Sequence, residues 1–364
     1  MLDPQRWTPD ILAQHSLDPR QFADFRESVL PNGLRIIDAY NASGLQFTLL
    51  PDRGLDIWTA HYKGLPLTWI AQGSPFPPDF GQTWLQQFNG GLLTTCGLTH
   101  VGPAETGEVT HEVRDLHGRY SRLRAENVAK TWQTDSSGLP CLELSGIVRE
   151  TAMFGVQLRV TRTYRLNLTS AQIELHDTVI NLGDSPAPLM LLYHINTGFP
   201  LVNEGTELHT PHHTVYARDA NARPGLARWN LYEAPTREYK EQVFYHQLKE
   251  SGGSTGILLE NGEIGFEVTW NPSALPYFTQ WKNTRQGIYV NGVEPGNCIP
   301  EGQTSARKTG RLEYLAPGET CAFGCSLRVI EGTEALQSAK LHVEQLRSDG
   351  KPAEKCRLDD YAGK

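Results

Sequence analysis

The sequence lacks the features that mark zinc sites, nucleic-acid-binding surfaces and membrane proteins. Its 364 residues include six cysteines, and none of them forms a Cys-x-x-Cys pair or the Cys/His spacing of a zinc ligand set. Its lysines and arginines are scattered and its formal net charge is −8, which argues against nucleic acid or an anionic membrane surface as the main partner. No run reaches the roughly 18 apolar residues of a membrane span, and the amino-terminal residues contain no apolar signal region. We therefore expect a cytoplasmic protein with free, buried thiols.

Strand-like segments fill most of the chain. Short apolar or alternating runs, separated by Gly and Pro, begin at Leu34 and continue to Ile330, with almost no alternation of strands and helices. Helical signals are confined to the two ends, where capping residues precede prolines near the amino terminus and Glu334–Leu346 has a helical pattern. This organisation predicts an all-β fold, a large antiparallel β-sandwich with short N-terminal helices and one C-terminal helix.

We expect one structural domain, because no linker interrupts the strand pattern. Its predicted parts are an N-terminal helical arm, a β-sandwich, and a C-terminal helix with a tail, over residues 1–33, 34–330 and 331–364. Whether the arm covers this sandwich or a partner subunit is left open, and so is a homodimer.

An irregular segment, residues 73–118, interrupts the strand pattern. It is rich in Gly, Pro and polar residues, and a stretch of this length inside a compact domain is more often functional than idle. Its glycine-dense part, residues 88–100, has no helix-opening lysine of the phosphate-binding type, so we do not interpret it as a nucleotide site. The sequence predicts no cofactor.

Glu294 is the most informative candidate for a catalytic group. It follows an apolar, β-prone run, and Pro295 is expected to end the strand directly after it. The aromatic neighbours Phe278, Trp281 and Tyr289 could bury the carboxylate. Burial raises a Glu pKa from about 4.3 toward neutral values, which suit a general base. The segment alone also fits a turn carboxylate that accepts hydrogen bonds from backbone N–H groups.

Two histidines are further candidates. His117 precedes Gly118, where the backbone can turn sharply and expose the imidazole, although a surface-turn histidine also fits this pattern. His194 interrupts the apolar strand Leu189–Thr197, and the Gly and Pro that follow indicate a strand that ends at a cavity. The alternative for His194 is a core histidine bonded to a backbone carbonyl.

A third group of histidines, His209, His212 and His213, could be mistaken for metal ligands. Adjacent residues on a strand point to opposite faces, so His212 and His213 cannot share a metal site there. We interpret the group as part of an exposed loop, and the sequence predicts no metal.

Two aromatic residues near these positions are candidates for contacts with a sugar. Trp281 and Phe199 could each present an apolar platform to the C–H face of a sugar ring. Aromatic rings in strands belong more often to the core, so both interpretations stay open.

Taken in order, three motifs resemble the aldose 1-epimerase, or galactose mutarotase-like, superfamily: the Leu-His-Gly turn at residues 116–118, His194 ahead of Phe199, and the Glu-Pro pair at Glu294. The resemblance covers roughly Leu34–Ile330. More closely, the chain resembles one branch of that superfamily, the DUF4432 group of aldose epimerase-related proteins. The closer match rests on five segments, Pro51–Ile57, Gly91–Gly97, Leu116–Arg119, Tyr277–Lys282 and Val293–Cys298.

The resemblance implies a two-layer β-supersandwich with an open carbohydrate-binding face, and an isomerase of carbohydrate metabolism. It implies that Glu294 is the general base, His194 the general acid and His117 a second histidine that contacts the sugar. Arg53 and Arg119 compete for the place of the family's substrate arginine. The remaining implied sugar-binding residues are Lys282, Trp281, Phe199 and Asn196.

One segment departs from the pattern of the better-known galactose mutarotases. Here His194 opens the sequence His-Ile-Asn-Thr-Gly-Phe-Pro, where those enzymes have His-x-Tyr-Phe-Asn. The departure bears on the identity of the sugar more than on the type of reaction.

The chemistry of mutarotation suits a glutamate and a histidine. One group removes the proton of the C1 hydroxyl while the other protonates the ring oxygen, and each works best with a pKa near neutrality. We therefore predict an aldose 1-epimerase-like enzyme that binds a small sugar and interconverts its anomers. The alternatives are a carbohydrate-binding or sensing protein without turnover, and an isomerase or epimerase that acts at a carbon other than C1.

The charge of the sugar is left open. Arg53, Arg119 and Lys282 would suit an acidic or phosphorylated sugar, unless nearby carboxylates already pair with them. The candidate carboxylates for such pairing are Asp52, Asp56 and Asp115.

Overall fold

Antiparallel strands form most of the structure. The computed structural model describes residues 3–73, 75–107 and 111–346, and strands account for 47% and helices for 14%. The predicted all-β fold is therefore confirmed. In the part of the chain that the structure describes, every helix is too short or too polar to cross a lipid bilayer.

The described residues contain 22 strands and four α-helices. Strands β1 to β12 span Asp24–Val29, Arg35–Tyr40, Leu45–Leu50, Asp56–Tyr62, Leu65–Pro66, Thr94–Leu98, Glu105–Thr106, Val113–Arg114, Ala125–Thr134, Pro140–Thr151, Gln157–Asn167 and Gln172–Asn181. Strands β13 to β22 span Ala187–Gly198, Glu207–His209, His212–Ala217, Gln242–Leu248, Thr255–Glu260, Ile264–Trp270, Tyr277–Arg285, Ile288–Gly296, Glu313–Leu315 and Thr320–Glu331. Helices α1 to α4 span Pro9–His15, Trp84–Gln87, Gln303–Lys308 and Thr333–Leu346, and short 3₁₀ helices span Pro4–Arg6, Pro19–Gln21, Tyr120–Arg122 and Arg223–Arg228.

Most of these strands belong to three antiparallel sheets. Strands β1 to β5 form a five-stranded meander in chain order. The second sheet has eight strands, in the order β14-β17-β18-β22-β12-β11-β10-β9. The third sheet has seven strands, in the order β15-β16-β19-β20-β13-β21, with β6 paired to β13 as the seventh. The short strands β7 and β8 pair with each other.

The main hydrophobic core contains side chains from all three large sheets. In β11 the buried residues alternate with more exposed ones, as the sequence predicts, and Val160, Arg162 and Tyr164 point inward. Strand β13 is buried along nearly its whole length, as expected for a central strand. One of its faces contributes Tyr193 to the main core, and the other contributes Leu192 to a second cluster beneath the loops.

The amino-terminal segment differs from the predicted helical arm over residues 1–33. Its helical turns end at Gln21, and Asp24–Val29 form the edge strand β1, which pairs with β2. The two strands are joined by a turn in which Gly33 adopts the left-handed region, at φ 85°. Phe25 accounts for the difference, because its side chain is buried in the main core from this strand.

The carboxy-terminal helix and the cysteines agree with the predictions as far as the structure describes them. Helix α4 packs on the eight-stranded sheet. The predicted tail, residues 347–364, lies outside the described residues, and so does Cys356. The other cysteines are free, and all of them except Cys321 are buried.

A fully buried ion cluster joins the sheets. The Arg162 side chain of β11 donates to Asp177 of β12 at 2.6 Å and to Asp56 of β4 at 2.5 Å. Asp56 also accepts hydrogen bonds from the backbone N–H and the hydroxyl of Thr95 in β6, at 2.8 and 2.6 Å. The Tyr193 hydroxyl of β13 donates to Asp177 at 2.8 Å. One guanidinium therefore links all three large sheets.

Replacing Arg162 by Met is expected to destabilise the protein strongly. The change leaves Asp56 and Asp177 buried without their counter-charge, a loss that typically costs about 3–5 kcal/mol. Arg165→Met is the matched control, because Arg165 lies on the same strand but is 45% exposed in its pair with Glu143. Exposed pairs contribute about 0–1 kcal/mol. Urea and thermal unfolding measure both variants, and equal losses of unfolding free energy would contradict the role of the cluster.

Candidate active site

His194 and Glu294 meet on the outer face of the seven-stranded sheet. Ile195 of β13 pairs with Val293 of β20 in an antiparallel ladder. The neighbouring position in this register sets His194 opposite Glu294, with both side chains on one face. The His194 Nε2 atom lies 3.2 Å from Glu294 Oε1. Both residues are deeply buried, at 5% and 3% exposure, so the two candidate catalytic groups lie close together away from bulk water.

The expectation that Glu294 ends a strand is wrong. Strand β20 continues through Pro295 to Gly296, which pairs with Leu192 on one side and with Tyr277 on the other. Proline lacks a backbone N–H and usually interrupts a ladder, which is why the sequence indicated a strand end. The carboxylate therefore projects from the middle of a sheet rather than from its edge.

Of the three aromatic residues expected around the carboxylate, Trp281 shares its face of the sheet. Trp281 pairs with Gly292, two residues before Glu294 on the same strand. A Cβ atom at Gly292 would lie 2.9 Å from Glu294 Oε1 and from Trp281 Cβ, so the position needs a glycine. Phe278 and Tyr289 instead pack with the main core.

Aromatic side chains cover the pair. The Phe88 ring lies 5.7 Å from that of His194 and stacks on Trp84 at 4.4 Å. Trp281 meets His194 edge-on at 5.5 Å and Trp69 at 6.0 Å. These residues form an aromatic cage, which consists of Trp69, Trp84, Phe88 and Trp281. Two of its members come from the irregular segment that the sequence singles out.

His117 reaches the same cluster from a tight turn. Its ring lies 6.1 Å from that of His194 and 4.9 Å from that of Trp84. The backbone is left-handed at His117 and Gly118, with φ of 55° and 77°. A Cβ atom at Gly118 would lie 2.5 Å from the Gly97 carbonyl oxygen, so this turn also needs a glycine. Desolvation and then the nearby His194 lower the pKa of His117, which favours a neutral imidazole.

Burial reverses the usual order of the two pKa values in the pair, so that Glu294 holds a proton more tightly than His194. Desolvation raises the pKa of Glu294 to about 8, an effect that Arg218 opposes and Glu241 reinforces. Desolvation lowers the pKa of His194 to about 4, and the Asn196 side chain opposes this shift. Between these two pKa values the pair holds one proton, which rests on Glu294 while His194 is neutral.

Asn196 adjoins the pair, whereas Phe199 lies outside the cage. Asn196 is buried, its amide donates to the Gly91 carbonyl at 2.9 Å, and its Oδ1 atom has no hydrogen-bond partner among the described residues. Phe199 follows β13 and is 65% exposed. The described ring contacts of His194 come from the aromatic cage and His117.

Two of the predicted cations contact the covering segment, which is the part of the irregular segment that carries Trp84 and Phe88. Arg53 is buried and donates to the backbone carbonyls of Phe76 and Gln87 at 3.3 and 2.9 Å. Arg119 lies over the Phe80 ring, 5.3 Å from its centroid. Both side chains therefore bind groups that belong to the covering segment, and these contacts help to hold that segment in place.

Lys282 faces away from the site. It follows Trp281 on β19, so its side chain points to the opposite face of the sheet. Its ammonium group pairs with Glu233 at 3.0 Å and donates to the Arg228 carbonyl at 3.0 Å. The aspartates suggested as partners of the three cations form ion pairs with other arginines, in the pairs Asp52–Arg35, Asp56–Arg162 and Asp115–Arg122.

The histidines near residue 210 lie in strands, so the predicted exposed loop is wrong. His209 belongs to β14, and His212 and His213 open β15 with one side chain buried and the other exposed. The described residues hold one set that could ligate a metal, whose donor atoms lie within 4.8 Å of one another, namely Glu207, His209 and Glu260. Lys340 lies 3.4 Å from one of these carboxylates and balances part of the charge.

Three of the four residues of the aromatic cage were not identified from the sequence. Trp69, Trp84 and Phe88 stand in or beside a segment without periodicity, so no strand or helix pattern indicates which way they point. The concentration of aromatic residues in a segment expected to be functional was the available signal. Arg218 and Glu241 carry no such signal, because a charged residue beside a strand end is usually a solvated one.

Comparisons with known proteins support the fold and the family. The sequence model of the family described as "Domain of unknown function (DUF4432)" matches residues 31–329. A candidate aldose 1-epimerase from Klebsiella pneumoniae is 25% identical over 92% of this chain and 90% of its own, with a TM-score of 0.85. A galactose mutarotase-like protein from Clostridium acetobutylicum is 14% identical over 86% of this chain and all of its own, with a TM-score of 0.59. A galactose 1-epimerase from Lactobacillus acidophilus is 13% identical over 85% and 99%, with a TM-score of 0.55. No curated protein matches the sequence.

Glu294→Gln is expected to stabilise the protein, and more so as the pH rises. The folded state raises the carboxyl pKa from 4.5 to about 8, so native Glu294 keeps a proton in this window that the unfolded chain loses. Wild-type stability contributed by this group is therefore lost as the pH rises through that window, and glutamine removes the loss.

The lowered pKa of His194 acts with the opposite sign between about pH 4 and 6.5, but both proteins keep that histidine. Urea midpoints of wild type and variant at pH 5 and pH 8 measure the effect. A stability difference that does not grow with pH would contradict the raised pKa.

Proposed function

The chain belongs to the DUF4432 family, and from its site we propose that it is an isomerase of the aldose 1-epimerase type, which interconverts the anomers of a free sugar. The observation that carries the proposal is the pair of His194 and Glu294, whose Nε2 and Oε1 atoms lie 3.2 Å apart on a buried sheet face. The names of similar structures, a candidate aldose 1-epimerase and a galactose 1-epimerase, are consistent with this chemistry.

The proposed reaction needs two coordinated proton transfers. With these pKa values the shared proton rests on Glu294, and the reaction needs the form in which it has moved to His194 across the 3.2 Å between the two groups. In that form Glu294 removes the proton of the C1 hydroxyl while His194 protonates the ring oxygen, and the C1–O bond to the ring oxygen breaks as the aldehyde forms. Rotation about the C1–C2 bond then presents the other face of the carbonyl. Closure reverses both transfers, so the two groups recover their starting protons. A pair that holds one proton over a wide pH range can supply both directions of this cycle.

Unsatisfied polar atoms beside the pair support a polyhydroxylated ligand. The His117 Nδ1, His194 Nδ1, Asn196 Oδ1 and Thr279 Oγ1 atoms are buried and have no hydrogen-bond partner among the described residues. Leaving such groups unpaired is costly, and sugar hydroxyls can both donate to them and accept from them. The aromatic cage offers apolar surface to the C–H groups of the same ring.

The distribution of charge supports a neutral sugar as the substrate. Arg53 and Lys282 bind backbone carbonyls or a carboxylate of the protein, so neither presents a free cation to the pair. Glu294 is buried with its charge suppressed, and an additional ligand carboxylate or phosphate beside it would repel the ionised form.

Loss of either proton-transfer group is expected to abolish most of the activity. Glu294→Gln and His194→Gln should each lower kcat/KM for anomer exchange by about 100-fold or more, the usual effect of removing a general acid or base. Exchange NMR over a panel of neutral aldoses, uronic acids and sugar phosphates measures it. Glu267→Gln, whose carboxylate pairs with Arg328 in the eight-stranded sheet, is the control and should keep full activity.

The panel also separates the alternatives. Tight sugar binding with no acceleration of exchange, whether or not Glu294 is present, would indicate a binding or sensing protein. A product with a changed stereocentre or carbonyl position would indicate an isomerase acting beyond C1. Equal exchange rates in wild type and Glu294→Gln would show that the base is misassigned.

A further inference from the structure

Trp281 is the one member of the aromatic cage that lies on a strand of the seven-stranded sheet, and it forms one wall of the cage. It pairs with Gly292 across β19 and β20, which places the indole on the same face as the Glu294 carboxylate. Its ring meets those of His194 and Trp69 edge-on at 5.5 and 6.0 Å. A sugar held against the catalytic pair would therefore have this indole on one side.

The indole is anchored from outside the cage. Its Nε1–H group donates to Glu241 Oε2 at 2.8 Å, and the other oxygen of that carboxylate accepts from Arg218 Nη2 at 3.2 Å. Arg218 Nε in turn donates to Asp219 Oδ2 at 2.8 Å. Glu241 is 46% exposed, so water could satisfy the indole at this position, but a charged acceptor makes a stronger and more directional bond.

Stability alone does not account for this chain of contacts. An ion pair as exposed as that of Arg218 and Glu241 contributes little to the free energy of unfolding. A ring that binds substrate, in contrast, must be held within a fraction of an ångström of its productive position. We propose that Glu241 and Arg218 are positioning residues that fix the orientation of Trp281 and thereby set the affinity for the sugar. The inference rests on the proposed function of the site.

The same two residues act on Glu294 with opposite signs. Arg218 lowers the pKa of Glu294 and Glu241 raises it. Five charged or titratable groups interact with this carboxylate. They are Cys96 of β6, His194 of β13, Tyr245 of β16, Arg218 after β15 and Glu241 before β16. Removing Arg218 or Glu241 singly should therefore move the alkaline limb of the pH profile in opposite directions, which a purely structural role would not do.

The anchor is tested first without any sugar. In protein labelled with ¹⁵N-tryptophan, Trp281→Phe identifies the Trp281 indole signal. Glu241→Ala removes the charged acceptor, so the indole proton should move upfield and exchange faster with solvent. Glu126→Ala is the matched control, because Glu126 is 55% exposed and lies 3.3 Å from its partner Arg149. The control should leave the indole signal unchanged.

The consequence for the site is tested by kinetics. Glu241→Ala should raise KM for the best sugar about tenfold while kcat changes less than about threefold, because the wall binds the sugar without transferring a proton. Glu241→Gln keeps an acceptor oxygen, so it should leave KM near wild type and move the alkaline limb of kcat/KM to lower pH. Arg218→Gln should move that limb to higher pH.

Two results would overturn the inference. One is an indole signal that is the same in wild type and Glu241→Ala, and the other is a shifted signal with unchanged KM and pH profile. If the wild-type protein binds no sugar of the panel, the proposed function fails, and the indole signal still supports or overturns the anchor by itself.

Discussion

The buried guanidinium of Arg162 connects the parts of the fold that meet at the candidate site. It holds Asp56, and Asp56 binds both donors of Thr95, which fixes β6 along β13 beside His194. Tyr193 reaches the same cluster from β13. The residue before His194 is thus secured on the core side, while the His194 side chain points to the opposite face. Three sheets therefore meet around one charge beside the candidate catalytic pair.

The candidate catalytic pair itself costs stability. Burying a carboxyl group away from water disfavours its charged form, so Glu294 keeps its proton at pH values where an exposed glutamate would lose it. The neutral His194 beside it does not offset that cost with a fixed positive charge. Natural proteins commonly accept such a loss of stability at sites that carry out chemistry. The charges of Arg218 and Glu241 act on the protonation of Glu294 from outside the aromatic cage, with opposite signs.

Sequence patterns predicted what depends on local periodicity, and missed what depends on long-range packing. The alternation in β11 and the apolar run of β13 indicated the sandwich, and the polar interruptions at His194 and Glu294 indicated the pair. Strand β1 was missed because Phe25 is buried by residues distant in the chain.

The sequence also could not predict where the cationic side chains point. Nothing in the sequence near Arg53 shows that it would bind carbonyls of a segment more than 20 residues away, at Phe76 and Gln87. The resemblance places both Lys282 and its neighbour Trp281 at the site, but adjacent residues of β19 point to opposite faces. The register of β19 with β20 decides that Trp281 is the one on the face of Glu294, and the sequence does not show that register.

The pH dependence of kcat/KM for anomer exchange is the most direct test of a pair that shares one proton. With pKa values of about 4 for His194 and about 8 for Glu294, the singly protonated pair dominates between them. We therefore predict a plateau from about pH 5 to 7, with activity falling on both sides. A glutamate and a histidine with ordinary pKa values, about 4.3 and 6.5, would give a narrow optimum between those values. Activity that already declines from pH 6.5 upward would contradict the buried, proton-sharing pair.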